Sequence, residues 1–144
     1  MLLVQASGLF LSGHLFGALL VYLNHRFVLH GRLGDTRLLR WAKKLHALHH
    51  KFAYGPFFSS FAKTPLSVKL TLAACICLLC ALCMPLGLGF LTALCYYEVM
   101  HRLIHSRLRQ TAVGQHHEMH HKFPHYNFSG TYPFIDHLFG TKRG

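Results

Sequence analysis

A chain of 144 residues, 52% of them apolar and with a positive mean hydropathy, is one domain's worth of sequence carrying more apolar surface than a soluble fold needs. Its net charge of +11 comes from 15 Lys and Arg against 4 Asp and Glu, and every basic residue falls between Arg26 and Lys69 or between Arg102 and Arg143. Basic segments that flank apolar runs suit anionic headgroups, which excludes a nucleic-acid binder, and four acids are too few for a carboxylate-bridged di-metal bundle, which needs four Glu and two Glu-x-x-His pairs.

The first predicted element is a helix over about 2–23, interrupted only by Gln5, Ser7, Ser12 and His14. It would be about 33 Å long, enough to cross the hydrocarbon core. It is expected to stay on the protein as a membrane helix, because a basic n-region and a small-residue cleavage site are both missing. His25 and His30 follow at once, five residues apart, and would diverge by about 140° on an ideal α-helix, so a π-bulge or a helix end is predicted there. A basic connector leads to His46, His49 and His50. The aromatic residues that come next, Phe57, Phe58 and Phe61, read as interfacial anchors, as do Tyr96 and Tyr97 further on.

A second membrane helix is predicted over about 65–84, with Thr64 as N-cap and Pro65 at its first position. Pro85, Gly87 and Gly89 then mark a reversal, and a third membrane helix covers about 88–106, running on to about Arg109. Cys75, Cys77, Cys80, Cys83 and Cys95 lie inside these helices and are expected to pack as small hydrophobes, not to ligate metal. The apolar part of the third helix ends near Met100. His101 therefore emerges at the membrane boundary, as His25 does, followed by His105 and by His117, His120 and His121. By the positive-inside rule the amino terminus and the Pro85 turn face outward, and both histidine-rich segments face the cytoplasm.

These observations define a repeat: membrane helix, H-x(3 or 4)-H, basic connector, H-x-x-H-H, occurring twice with five histidines each time. The predicted architecture is all-α, one membrane-embedded domain over 1–144 whose two halves face each other around two metal ions. The candidate ligands are His25, His30, His46, His49, His50, His101, His105, His117, His120 and His121. Imidazoles at i, i+3 and i+4 share a helix face, so each H-x-x-H-H is expected to aim its three rings at a common centre. Glu98, one turn before His101, is a candidate for orienting a ligand ring, and His125 is the tail histidine expected nearest the metals. His116 offers a rival register to His117, which is preferred because it completes H-x-x-H-H. His14 is a polar group inside the first helix, and His137 lies in the tail. Ten neutral ligands leave two divalent cations uncompensated, which favours bound hydroxide or oxide and an oxygen-activating site; imidazole suits iron, zinc and copper alike.

The stretches N-H-R-F-V-L-H from Asn24, L-H-A-L-H-H from Leu45, E-V-M-H-R-L-I-H from Glu98 and H-E-M-H-H from His117 resemble the histidine signature of the fatty acid hydroxylase superfamily. The tail from His125 to Thr141 is similar to that family's closing segment, with Ser129 before the glycine, Ile135 where Trp is usual and His137 at a position often basic. The resemblance implies a di-iron centre, which zinc can occupy in purified material, with O2 as co-substrate for oxidation of an unactivated C–H bond in a membrane lipid. It also implies two electrons from an external ferredoxin or cytochrome b5-like donor. The five-residue step from His25 to His30 is similar to fatty acid 2-hydroxylases and carotenoid ring hydroxylases, and the tail favours a fatty acyl substrate. Carotenoid ring hydroxylases and sterol-type oxidases or desaturases are the alternatives within the enzymes. A membrane protein that stores or senses metal is the alternative outside them.

Overall fold

The computed structural model describes residues 2–52 and 63–144, so the anchors read at Phe57, Phe58 and Phe61 lie outside the described residues. Among the described residues every regular element is a helix. Helix α1 is Leu2–Leu23, continued by a π-helix over Asn24–Leu29 and a short 3-10 turn over Arg32–Asp35. Then come α2 (Arg40–Phe52), α3 (Leu66–Leu82), α4 (Met84–Ile104), α5 (Ala112–Lys122) and α6 (Pro133–Leu138). Among the described residues one continuous helical stretch, Leu3–Leu29, is long and apolar enough to cross a membrane; α3 is apolar but shorter.

The reversal between α3 and α4 is tighter than the sequence suggests. Only Cys83 separates the helices, and Pro85 sits in the first turn of α4, where a missing N–H costs nothing. Gly87 and Gly89 therefore lie within the helix and not in a turn. Pro65, not Thr64, is the N-cap of α3, and its side chain makes no capping bond. α4 ends at Ile104 with His105 as its cap, and a turn follows in place of the predicted extension to Arg109.

The small residues instead serve the contact between α1 and α4. A Cβ at Gly13 would stand 2.1 Å from the carbonyl oxygen of Leu86, and one at Gly89 would stand 2.0 Å from that of Phe10. Backbone meets backbone here, a close approach that glycines such as Gly13 and Gly89 permit because they carry no Cβ. α3 lies outside this pair and buries none of its residues completely. The cysteines are accordingly not core residues: Cys75, Cys77 and Cys95 are exposed, and only Cys80 and Cys83 are partly covered. Among the described residues α4 is the main packing partner of α3, and most of the apolar side chains of α3 lie on the outer surface.

The carboxyl-terminal segment returns to α1. His14, Ala18, Tyr22 and His25 form a stripe at helical spacing. The tail docks along it through Ile135 and Phe128, which make a small core with Ala18 and Tyr22. The Tyr22 hydroxyl meets Thr141 Oγ1 at 3.0 Å and accepts from Arg26 at 2.8 Å, while Phe139 stacks on its ring. Deeper along the stripe, the Tyr132 hydroxyl reaches His14 Nε2 at 2.6 Å, and Thr92 Oγ1 meets His14 Nδ1 at 3.0 Å.

Candidate metal centre

The π-helix decides where His25 and His30 point. Its i to i+5 winding, seen in the bond from the His30 N–H to the His25 carbonyl (3.0 Å), brings residues five apart nearly into line. Helix α2 supplies His46, His49 and His50, the end of α4 supplies His101 and His105, and α5 supplies His117, His120 and His121. The N-cap Thr111 starts α5 by accepting from the Gly114 N–H.

These rings gather into two adjoining sets. In the first, one nitrogen from each of His25, His30, His46, His50 and His120 lies within 4.8 Å of all the others; in the second, the same holds for His49, His101, His105 and His117. His121 joins the second set through Nε2, 3.1 Å from that of His117. The sets touch where the His50 and His121 rings lie 4.3 Å apart. This arrangement corrects the expectation of a common centre for each H-x-x-H-H. The first and last histidines of each motif serve one set and the middle one crosses to the other, so His49 joins the second half's ligands and His120 joins the first half's.

Neighbouring Nε2 atoms within the sets approach to between 2.8 and 3.2 Å, as between His46 and His30 (2.8 Å), His25 and His46 (3.0 Å), His101 and His117 (3.0 Å) and His105 and His49 (3.2 Å). Hydrogen bonds between rings cannot account for this. The Nδ1 of His25 meets the Phe128 carbonyl at 2.5 Å and that of His120 meets the Tyr126 carbonyl at 2.7 Å, so both Nδ1 atoms carry the proton and both Nε2 atoms are bare lone pairs. Bare lone pairs packed against other imidazole nitrogens call for a cation between them. Two nitrogens about 2.1 Å from one ion and about 90° apart would be about 3.0 Å from each other, whereas a tetrahedral site spaces them at about 3.4 Å. The donor set therefore fits a metal ion held among several imidazoles.

The electrostatics agree. Burial, reinforced by neighbouring imidazoles, lowers His30 and His49 to about 3 and His50 to about 4. Burial takes His120 to about 4 against the opposing pull of the Tyr126 carbonyl, and drives His46, His117 and His121 further down. Imidazole is thus held in the neutral form that binds metal.

An apolar cavity of about 620 Å³ opens onto both sets, reaching His25 and His46 of the first and His101 of the second. Val21 of α1, Leu72 and Ile76 of α3 and Leu91, Leu94 and Val99 of α4 line it. Tyr97, for which the sequence favours an interfacial anchor over a wall of the lipid-chain path, does line this cavity and stacks on His101 with ring centres 5.3 Å apart.

The remaining candidates fall elsewhere. Glu98, a candidate for orienting a ligand ring and as readily a helix-surface carboxylate, accepts from the Arg102 guanidinium at 2.6 and 3.0 Å. His125 is exposed, although its charge disfavours protonation of His30. His137 is exposed, and His116 Nε2 donates to Asp136 Oδ2 at 3.0 Å. Asp136 was not singled out from the sequence, yet it organises the whole tail. Its carboxylate is fully buried and accepts from the Phe128 N–H (2.7 Å), the Ser129 N–H (2.9 Å) and Thr141 Oγ1 (2.7 Å). Burial opposes its ionisation, and the bonds from His116, Ser129 and Thr141 overcome that and hold its carboxyl below the usual range. Asn127, at positive φ, ties His116 to the chain end by donating to the His116 and Arg143 carbonyls. No local spacing marked Asp136, and the chain's other three acids pair with Lys or Arg at or near the surface.

A protein-family model described as fatty acid hydroxylase matches residues 10–141. No curated protein and no solved structure matches the chain.

Proposed function

The chain belongs to the fatty acid hydroxylase family, and from that premise we propose that it is a membrane-bound, O2-dependent hydroxylase of a lipid C–H bond, acting on a fatty acyl chain. His25, His30, His46, His50 and His120 would hold one metal ion and His49, His101, His105, His117 and His121 the other, with iron as the working metal. When bound, such ions supply O2 activation and the oxidising power, with electrons from an external ferredoxin or cytochrome b5-like donor. The observation that carries the reading is the meeting of bare imidazole nitrogens beside an apolar cavity: two ligand sets and a place for a hydrocarbon, in contact.

The protein's part is placement. Carbonyls of the tail fix the rings of His25 and His120, and the apolar walls keep water from the reacting carbon and hold it at the end where His25, His46 and His101 emerge. We place α1, α3 and α4 across the bilayer with the site on the cytoplasmic side, in keeping with the basic residues beyond each histidine cluster. At 17 residues α3 is about 26 Å long, a mismatch that local thinning and snorkelling of Lys69 can absorb. The exposed Lys44, Lys51, Arg107 and Lys122 would give an acidic donor a docking face.

The test is lipid mass spectrometry of cells expressing the intact chain in air, beside a His120→Ala, His121→Ala variant. A gain of one oxygen on acyl lipids, absent from the variant, is expected. Loss of two hydrogens would make the enzyme a desaturase, and identical profiles would overturn the enzyme reading.

A further inference from the structure

We propose that the two metal positions are unequal by construction, and that Asp136 is the positioning residue that makes the first set, His25, His30, His46, His50 and His120, the one that fills first and empties last. The inference rests on the reading of both sets as metal ligands and adds to it an order of occupancy and its cause.

The Phe128–Ser129 peptide group carries the argument. Its carbonyl oxygen, on Phe128, accepts from His25 Nδ1, and its N–H, on Ser129, donates to Asp136 Oδ2. One amide thus stands between a buried carboxylate and a ligand ring. Metal-binding histidines commonly donate their second nitrogen to a carboxylate or carbonyl, which fixes the tautomer and raises the basicity of the ligating nitrogen. Here the two partners act in series: negative charge at the N–H end polarises the amide, and its carbonyl becomes a stronger acceptor for His25. The second oxygen of the carboxylate holds the Phe128 N–H and Thr141 Oγ1, so the peptide cannot tilt away. The same loop presents the Tyr126 carbonyl to His120. Both rings fixed in this way belong to the first set.

In the second set the contrast is at His117. Its ring is as deeply buried, but its Nδ1 has no hydrogen-bond partner among the described residues, and the tail meets it with Gly130, where a Cβ would stand 3.5 Å from that nitrogen. No tail carbonyl fixes the tautomer of that imidazole, and its ligating nitrogen is the weaker donor. The repeat in the sequence is therefore symmetric in ligands and asymmetric in what the tail holds, because one tail serves two halves.

The test uses the full chain in detergent micelles, stripped of metal, loaded with Co2+ as probe and challenged with a chelator while metal content and the visible cobalt absorption are followed. The wild-type chain is expected to release two Co2+ in two phases of equal amplitude. Asp136→Asn removes the charge and one acceptor, and should speed the slow phase about 10- to 100-fold, well beyond any change in the fast phase. His117→Ala should delete the fast phase alone. If Asp136→Asn loses its helical circular dichroism, Thr141→Val, which removes one bond to the carboxylate, should give a smaller acceleration of the same phase. Release of both ions in one phase by the wild type, or equal acceleration of both phases by either Asp136→Asn or Thr141→Val, overturns the inference while leaving the metal centre in place. A wild-type chain that takes up no Co2+ overturns the metal centre itself.

Discussion

Lowering the pH from 8 to 5 should cost the metal-stripped chain about 4 kcal/mol through two histidines alone. His49 and His120 are almost completely buried and are held at about 3 and about 4, against an ordinary value of 6.5. A group whose value is lowered by folding supports the fold above its unfolded value, and that support drains away as the pH falls from 6.5 toward the folded value. At pH 5 the unfolded chain has protonated both rings and the folded chain neither, so each contributes a loss of about 2 kcal/mol. Because both folded values lie below the working pH, the loss depends only on the distance from 6.5 to 5. His30, His46, His50, His117 and His121 act in the same direction. At about 2–4 °C per kcal/mol for a chain of this size, the two rings alone lower the midpoint of thermal unfolding by about 8–16 °C. Circular dichroism melts of the stripped chain in one detergent at pH 8, 6.5, 5.5 and 5 measure this. Loading with Zn2+ should flatten the profile until protons displace the metal. A midpoint that stays constant from pH 8 to 5 without metal would refute the burial of neutral imidazoles.

Gly89→Leu places side-chain atoms where the Phe10 carbonyl stands and should force α1 and α4 apart, lowering the metal bound per purified chain; Gly8→Leu, with nothing within 4 Å, should change neither metal content nor gel-filtration profile. Tyr22→Phe removes bonds to Thr141 and Arg26 and should cost about 1–2 kcal/mol, read as a lower unfolding midpoint with metal binding retained. The crossing of the middle histidines is tested by pairs. Elemental analysis should find one metal per chain in His49→Ala, His101→Ala, which strikes a single set, and none in His46→Ala, His49→Ala, which strikes both although the two residues are a turn apart.

What could be read in advance was whatever depends on local spacing. The five-residue step from His25 to His30 fits no single face of an α-helix, so it announced a π-bulge or a helix end, and a π-helix occupies Asn24–Leu29. The apolar run to Leu23 announced α1 for the same reason. The reversal was misplaced because Pro85 means the same thing to a turn and to the first turn of a helix, and because Gly87 and Gly89 answer to packing partners, Cys80 and Phe10, that are remote in the chain or across the reversal. Asp136 was illegible in a stronger sense. Its meaning lies in four partners spread from His116 to Thr141, and no pattern within a helix turn or a strand pair encodes them.

The exchange between the halves has a geometric cause. Along an α-helix i and i+4 are about 40° apart and i and i+3 about 60°, but in opposite senses, so i+3 and i+4 diverge by about 100°. His46 and His50 can therefore share one ion while His49 must look to another, and His117 and His121 stand to His120 in the same way. A single centre per motif would have to subtend all 100°; two centres side by side need not. Since each set then borrows one ligand from the opposite half, neither half completes a site alone. Binding either ion ties α2 to α5 across the midline of the repeat. Metal affinity at such a site is also folding free energy. The ions that would do the chemistry would thus also latch together two halves that otherwise meet through α1, α4 and the Asp136 tail.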